Sequence, residues 1–172
     1  MSDQDKYIND VDLRRFNLFL QGNTRAQTFY YMDDLPSVDT MFPDKVYSAI
    51  LHKRNPEGNV GHWTLLIKWD ENTFEYFDCL GDGAPIELQN VLDDYSELYS
   101  KPLKLHESGR QLMGKQNYIC GKWVIFRLMT IPRKLDEFYR FFDVLTKGPK
   151  GKQKVSPDAI VNFIVNIPNL EH

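Results

Sequence analysis

Cysteine is scarce in this chain: Cys79 and Cys120 are the only two among 172 residues. One bridge cannot staple a chain of this size, so a secreted disulfide scaffold is excluded and a reducing, cytosol-like compartment is expected. Histidine is scarce too, with four in all. Cys and His never fall at the short spacings that build a zinc site, and no metal is expected. No run approaches the ~18 consecutive apolar residues of a membrane span, so no membrane partner is expected. The opening Met1-Ser2-Asp3-Gln4-Asp5-Lys6 lacks the apolar core of a signal peptide. Glycine builds no phosphate loop, because Gly81-Asp82-Gly83 reads as a turn. The net charge of −3 lacks the positive excess of a general nucleic-acid binder.

What remains is an ordinary globular composition, 42% hydrophobic and 26% charged. That length suits a single domain over residues 1–169, able to bury roughly 70% of its unfolded surface. Residues 1–25, polar apart from Phe16-Asn17-Leu18-Phe19-Leu20, read as an N-terminal arm. Leu170-Glu171-His172 reads as the remnant of an expression tag.

The centre of the chain reads as strands. Val46 to Leu51 is apolar enough for a buried one. His62 to Trp69 and Thr73 to Asp78 flank the turn Asp70-Glu71-Asn72 as a hairpin. Ile86 to Tyr99 has helical spacing, and Pro102 to His106 suits a further short strand. The last third is helical: Cys120 to Thr130, Leu135 to Leu145, and a final helix opened by Ser156 as N-cap and Pro157 at N1. Ser37 is a candidate cap for a short earlier helix. Strands followed by helices make the fold class α+β.

The chemistry lies in a triple taken in chain order: His62, Asp78, Cys120. A cysteine nucleophile must be a thiolate, and a free thiol with a pKa of about 8.5 supplies little at neutral pH. A neighbouring imidazole and a helix N-terminus both favour the thiolate. Cys120 opens a hydrophobic helix, and Gly121 beside it lets a substrate backbone come close. His62 starts one hairpin strand and Asp78 ends the next, so an antiparallel hairpin makes them neighbours. There the carboxylate can hold the imidazole in one tautomer and stabilise its cation.

The segments Gly61-His62-Trp63, Tyr76-Phe77-Asp78-Cys79-Leu80-Gly81 and Cys120-Gly121-Lys122-Trp123 together resemble the adenain-like cysteine proteases. That superfamily includes the adenovirus maturation protease and the SUMO-specific proteases. Residues 120–128 and the closing Ser156-Pro157-Asp158-Ala159-Ile160-Val161 look most like the variants of virophages, Polinton-type elements and large DNA viruses. The resemblance covers residues 45–165 or so. It implies a permuted papain-like fold, with a central, mostly antiparallel sheet packed on helices. It also implies His62 as base and later acid, Asp78 as its orienter, Cys120 as acyl-enzyme nucleophile, and Trp63 beside the substrate cleft with Gly121. Such proteases complete the oxyanion hole with a glutamine shortly before the cysteine, but Met113 and Gly114 hold the usual positions. Gln116 and Gln111 are the two candidates left, and the Cys120 N–H is a further donor.

The activity implied is that of a viral maturation endopeptidase cutting capsid or other virion proteins after small, glycine-type residues. A narrow cleft admits a chain where side chains are absent. It would act as a monomer in the host cytoplasm, at the viral factory, and in the virion, with no required cofactor. One relative is activated by DNA and a peptide, so the basic loop with Lys147, Lys150, Lys152 and Lys154 is a candidate DNA contact. A ubiquitin- or SUMO-type isopeptidase and a decayed binding module are the alternatives. Cys79 reads as a turn residue, His52 and His106 as structural.

Overall fold

The computed structural model describes residues 27–54, 61–114, 119–147 and 155–165. Five strands form one sheet in the order β1 (Gln27–Tyr31), β2 (Ser48–Lys53), β3 (His62–Lys68), β4 (Thr73–Phe77), β5 (Lys104–Glu107). Around it lie α1 (Val38–Met41), α2 (Ile86–Tyr99), α3 (Cys120–Met129), α4 (Leu135–Thr146) and α5 (Pro157–Ile164). The fold class is α+β.

The sheet is antiparallel in its centre and parallel at its edges. β3 pairs antiparallel with both β2 and β4, whereas β1 joins β2 and β5 joins β4 in parallel. Parallel neighbours need crossover connections, and α1 and α2 lie in those two crossovers. β3 therefore runs against the other four strands.

Both faces of the sheet are covered, which is why β2 and β3 read as continuous apolar runs instead of alternating ones. Ala49, Leu51, Leu66, Phe74 and Tyr76 pack with α1 and α2 through Val38, Met41, Leu88 and Leu92. Ile50, Trp63, Leu65, Ile67 and Phe77 pack with the helices of the other face through Trp123, Phe126, Phe138, Phe142 and Val161. One ion pair is buried within that second layer. Arg127 of α3 donates from Nε and Nη2 to Glu75 of β4 at 2.9 and 2.8 Å, a two-point contact that fixes the helix on the strand.

Several expectations shift in detail. The strand expected from Val46 starts at Ser48, because Val46 closes a turn onto Pro43 and Lys45 has a φ of 65°. The one expected from Pro102 starts at Lys104. Ser37 does cap α1, accepting from the Thr40 N–H at 3.3 Å. Ser156 stands before Pro157 as expected, but its side chain makes no capping bond. β1 was not anticipated. Its four residues after Gln27 are only partly buried, so this edge strand carries no clear inside-outside pattern. The N-terminal arm 1–25 and residues 170–172 lie outside the described residues.

Candidate active site

Asp78 follows the last residue of β4, where the chain turns. Its Oδ1 accepts the Leu80 N–H at 2.8 Å, and its carbonyl accepts the Gly81 N–H at 2.9 Å. Gly81 closes this turn at a φ of 80°, and a Cβ there would meet the Arg110 and Gln111 backbone at 2.8 Å, so glycine is required. Ser108, just beyond β5, clasps the Asp78 backbone: its Oγ accepts the Asp78 N–H at 3.0 Å and donates to the Asp78 carbonyl at 2.9 Å. The carboxylate is thus held by the Leu80 N–H, and the backbone that carries it by Ser108.

His62 stands opposite, at the start of β3. Its Nε2 lies 2.7 Å from Asp78 Oδ1, with the imidazole 21% and the carboxylate 3% exposed. The ring also interacts with Cys120, and with Nε2 engaged it is Nδ1 that is left to face the sulfur. Burial works against charge on this ring. The hydrogen bonds to Asp78 and Cys120, and the attraction of both groups, outweigh it and raise the His62 pKa from 6.5 to about 10. The imidazole is therefore a cation at neutral pH.

Cys120 is the first residue of α3 and is 4% exposed. The Trp63 N–H donates to its Sγ at 3.4 Å. This donor was not foreseen: the expectation for Trp63 concerned its indole, yet the indole is buried, 5.0 Å from Phe29 and 4.0 Å from His52 between ring centroids. Gly61 makes that packing possible, since a Cβ there would fall 2.0 Å from His52 Nε2. Gly121 is buried within the first turn of α3. Ser108 was also missed. A lone serine after a short edge strand carries no sequence signal for this contact.

Of the two glutamines, Gln116 lies outside the described residues. Gln111 is exposed and its Nε2 donates to the Met113 carbonyl at 3.1 Å, within its own loop. Lys147 is exposed just beyond α4, and Lys150, Lys152 and Lys154 lie outside the described residues. Cys79 is buried, with its thiol 3.8 Å from the Met113 sulfur, and burial pushes its pKa well up. His62, Asp78 and Cys79 bring a nitrogen, an oxygen and a sulfur within 4.8 Å of one another, a set that can ligate a metal ion. Among the described residues no helix is long and apolar enough to cross a membrane.

No protein-family profile matches the chain. It is similar to "Uncharacterized protein V9" of Sputnik virophage, at 26% identity over 92% of this chain and 97% of that protein. Two crystal structures of ASFV pS273R protease, one of them the selenomethionine form, also match it. Their TM-scores are 0.57 and 0.53, with 11% and 12% identity over 91% of this chain. The chain spans 65–66% of their length, just under two thirds. At this identity the likeness concerns the fold, which is that of a viral protease.

Proposed function

We propose that this protein is a viral maturation cysteine endopeptidase, cutting capsid or other virion proteins after small, glycine-type residues. One arrangement carries the reading: a buried helix-terminal sulfur that interacts with an imidazole whose Nε2 lies 2.7 Å from a buried carboxylate. The fold shared with ASFV pS273R protease and the similarity to a virophage protein support it.

The steps follow from that geometry. The Cys120 thiolate adds to the scissile carbonyl. An S–C bond forms and the carbonyl π electrons move to oxygen. Backbone N–H groups at the start of α3, that of Cys120 among them, have no partner within the helix and can receive the oxyanion. As the tetrahedral species collapses, the His62 imidazolium gives its proton to the leaving amine, and the C–N bond breaks. Now neutral, His62 takes a proton from water as its oxygen attacks the thioester; the C–S bond breaks, releasing the acid and restoring the Cys120 thiolate beside the imidazolium. Asp78 keeps Nε2 engaged throughout, so that Nδ1 faces the reaction. Gln116 or Gln111 would add a side-chain donor to the oxyanion, and a DNA or peptide activator would act through the basic loop.

The test is incubation of wild type and Cys120→Ala with the candidate capsid substrate. Cleavage by wild type alone supports the reading, and equal cleavage by both sinks it. Capture of Cys120 by a ubiquitin or SUMO probe, with capsid protein left intact, would favour the isopeptidase instead.

A further inference from the structure

From the hydrogen bonds around α5 we infer that Asp158 is a positioning residue for the proposed reaction, clamping the chain on both sides of the nucleophile. This rests on the protease reading. Asp158 is 7% exposed in the first turn of α5, where the helix dipole favours a carboxylate. Its Oδ2 accepts the Gly114 N–H at 2.9 Å, and its Oδ1 accepts the Trp123 indole N–H at 2.8 Å. Gly114 precedes Cys120 and Trp123 follows it, so one carboxylate holds the approach to the nucleophile and the helix that carries it.

The approach segment is fixed from the other side as well. The N–H groups of Leu112 and Met113 both donate to the Cys79 carbonyl, at 2.8 and 3.0 Å. Of three successive N–H groups, the first two are thereby tied to the turn after Asp78 and the third to α5. A second link, Lys122 Nζ to Asn162 Oδ1 at 3.0 Å, joins the same two helices. Asp158 does not touch His62 or Asp78 in any of these contacts. It ties Gly114 to α3, and so positions the N–H groups at the start of that helix that must meet the oxyanion, while in these two bonds it does not reach the thiol.

Asp158→Asn separates these roles. A carboxamide has one oxygen for two N–H donors, so its NH2 must face one of them and that arm is lost. Wild type and variant are compared in two assays: turnover of the candidate capsid substrate, and alkylation of Cys120 by iodoacetamide at pH 6, which develops no oxyanion. The expected result is a fall in kcat of about a hundredfold, with KM and the alkylation rate unchanged. Unchanged kcat would overturn the proposal, and so would kcat and alkylation falling together, as for a merely structural residue. If Asp158→Asn does not fold, Asp158→Glu takes its place: it keeps both oxygens but displaces them, and is judged by the same split. Hydrogen exchange at the Gly114 amide and the Trp123 indole needs no substrate. Faster exchange in the variant supports the clamp, and unchanged exchange overturns it. Wild type that neither alkylates fast nor cleaves counts against the protease reading alone.

Discussion

A single oxygen, Asp78 Oδ1, accepts from Leu80 N and faces His62 Nε2 2.7 Å away. An aspartate at a strand end commonly bonds its own backbone two residues on, and orienting a catalytic imidazole is usually thought of as a separate task. Here the atom that bonds the backbone also meets the His62 ring, so the turn that ends β4 is also what aims the carboxylate.

Asp78→Asn should show this in the pH profile. The carboxylate helps hold the His62 pKa near 10. Its removal lowers that pKa, so the imidazolium is lost at lower pH and the alkaline limb of kcat/KM moves down. Activity at neutral pH should drop by on the order of a hundredfold. An alkaline limb unmoved in Asp78→Asn would show that Asp78 does not set the charge on His62.

The same shift makes stability depend on pH. His62 titrates near 6.5 unfolded and about 10 folded. Its contribution is full below pH 6.5, declines above it, and is gone above about 10. Chemical denaturation of wild type and His62→Ala should therefore give a gap that narrows from pH 6 to pH 10. A gap that widened would contradict the assignment.

The two thiols should behave oppositely. Burial raises the Cys79 pKa well above the ordinary range, and a protonated buried thiol is a poor nucleophile. Peptide mapping after brief alkylation should find label on Cys120 and none on Cys79. Cys79→Ser should retain turnover, and a large loss would point to a role for the second sulfur.

Breaking the buried ion pair should affect stability. Glu75→Gln leaves Arg127, which is fully buried, without its counter-charge, and should cost about 3–5 kcal/mol in denaturant titrations. Cys120 alkylation in the folded fraction should be unchanged, because neither residue touches the sulfur.

Gly61→Ala puts a methyl where His52 Nε2 already stands. Overpacking of this kind costs about 1–3 kcal/mol. Turnover should fall as well, since the next residue is His62. A variant of normal activity would show that the His52 ring gives way freely.

The hairpin and the helix carrying Cys120 were legible because their signals are local: a β-prone run, a turn, an apolar run opened by Cys-Gly. The pairing of His62 with Asp78 was legible because a hairpin makes its two ends neighbours. What could not be read depends on long-range placement. Ser108 and Asp158 bond to groups thirty or more residues away, and neither residue type announces such a partner. The Trp63 N–H was invisible for another reason: a backbone donor has no residue identity. β1 was missed because an edge strand is buried by its neighbours more than by its own pattern.

The reversed course of β3 has a consequence for how the molecule can vary. It starts where the other four strands finish, so His62, Asp78 and Ser108 gather at one rim of the sheet. Segment 79–85 leaves from that rim too. At the far rim, the Asp70–Asn72 turn carries no part of the constellation. Changes of substrate preference can therefore accumulate in connections at one end while the other end drifts or accepts a label. The sheet between them insulates one kind of change from the other.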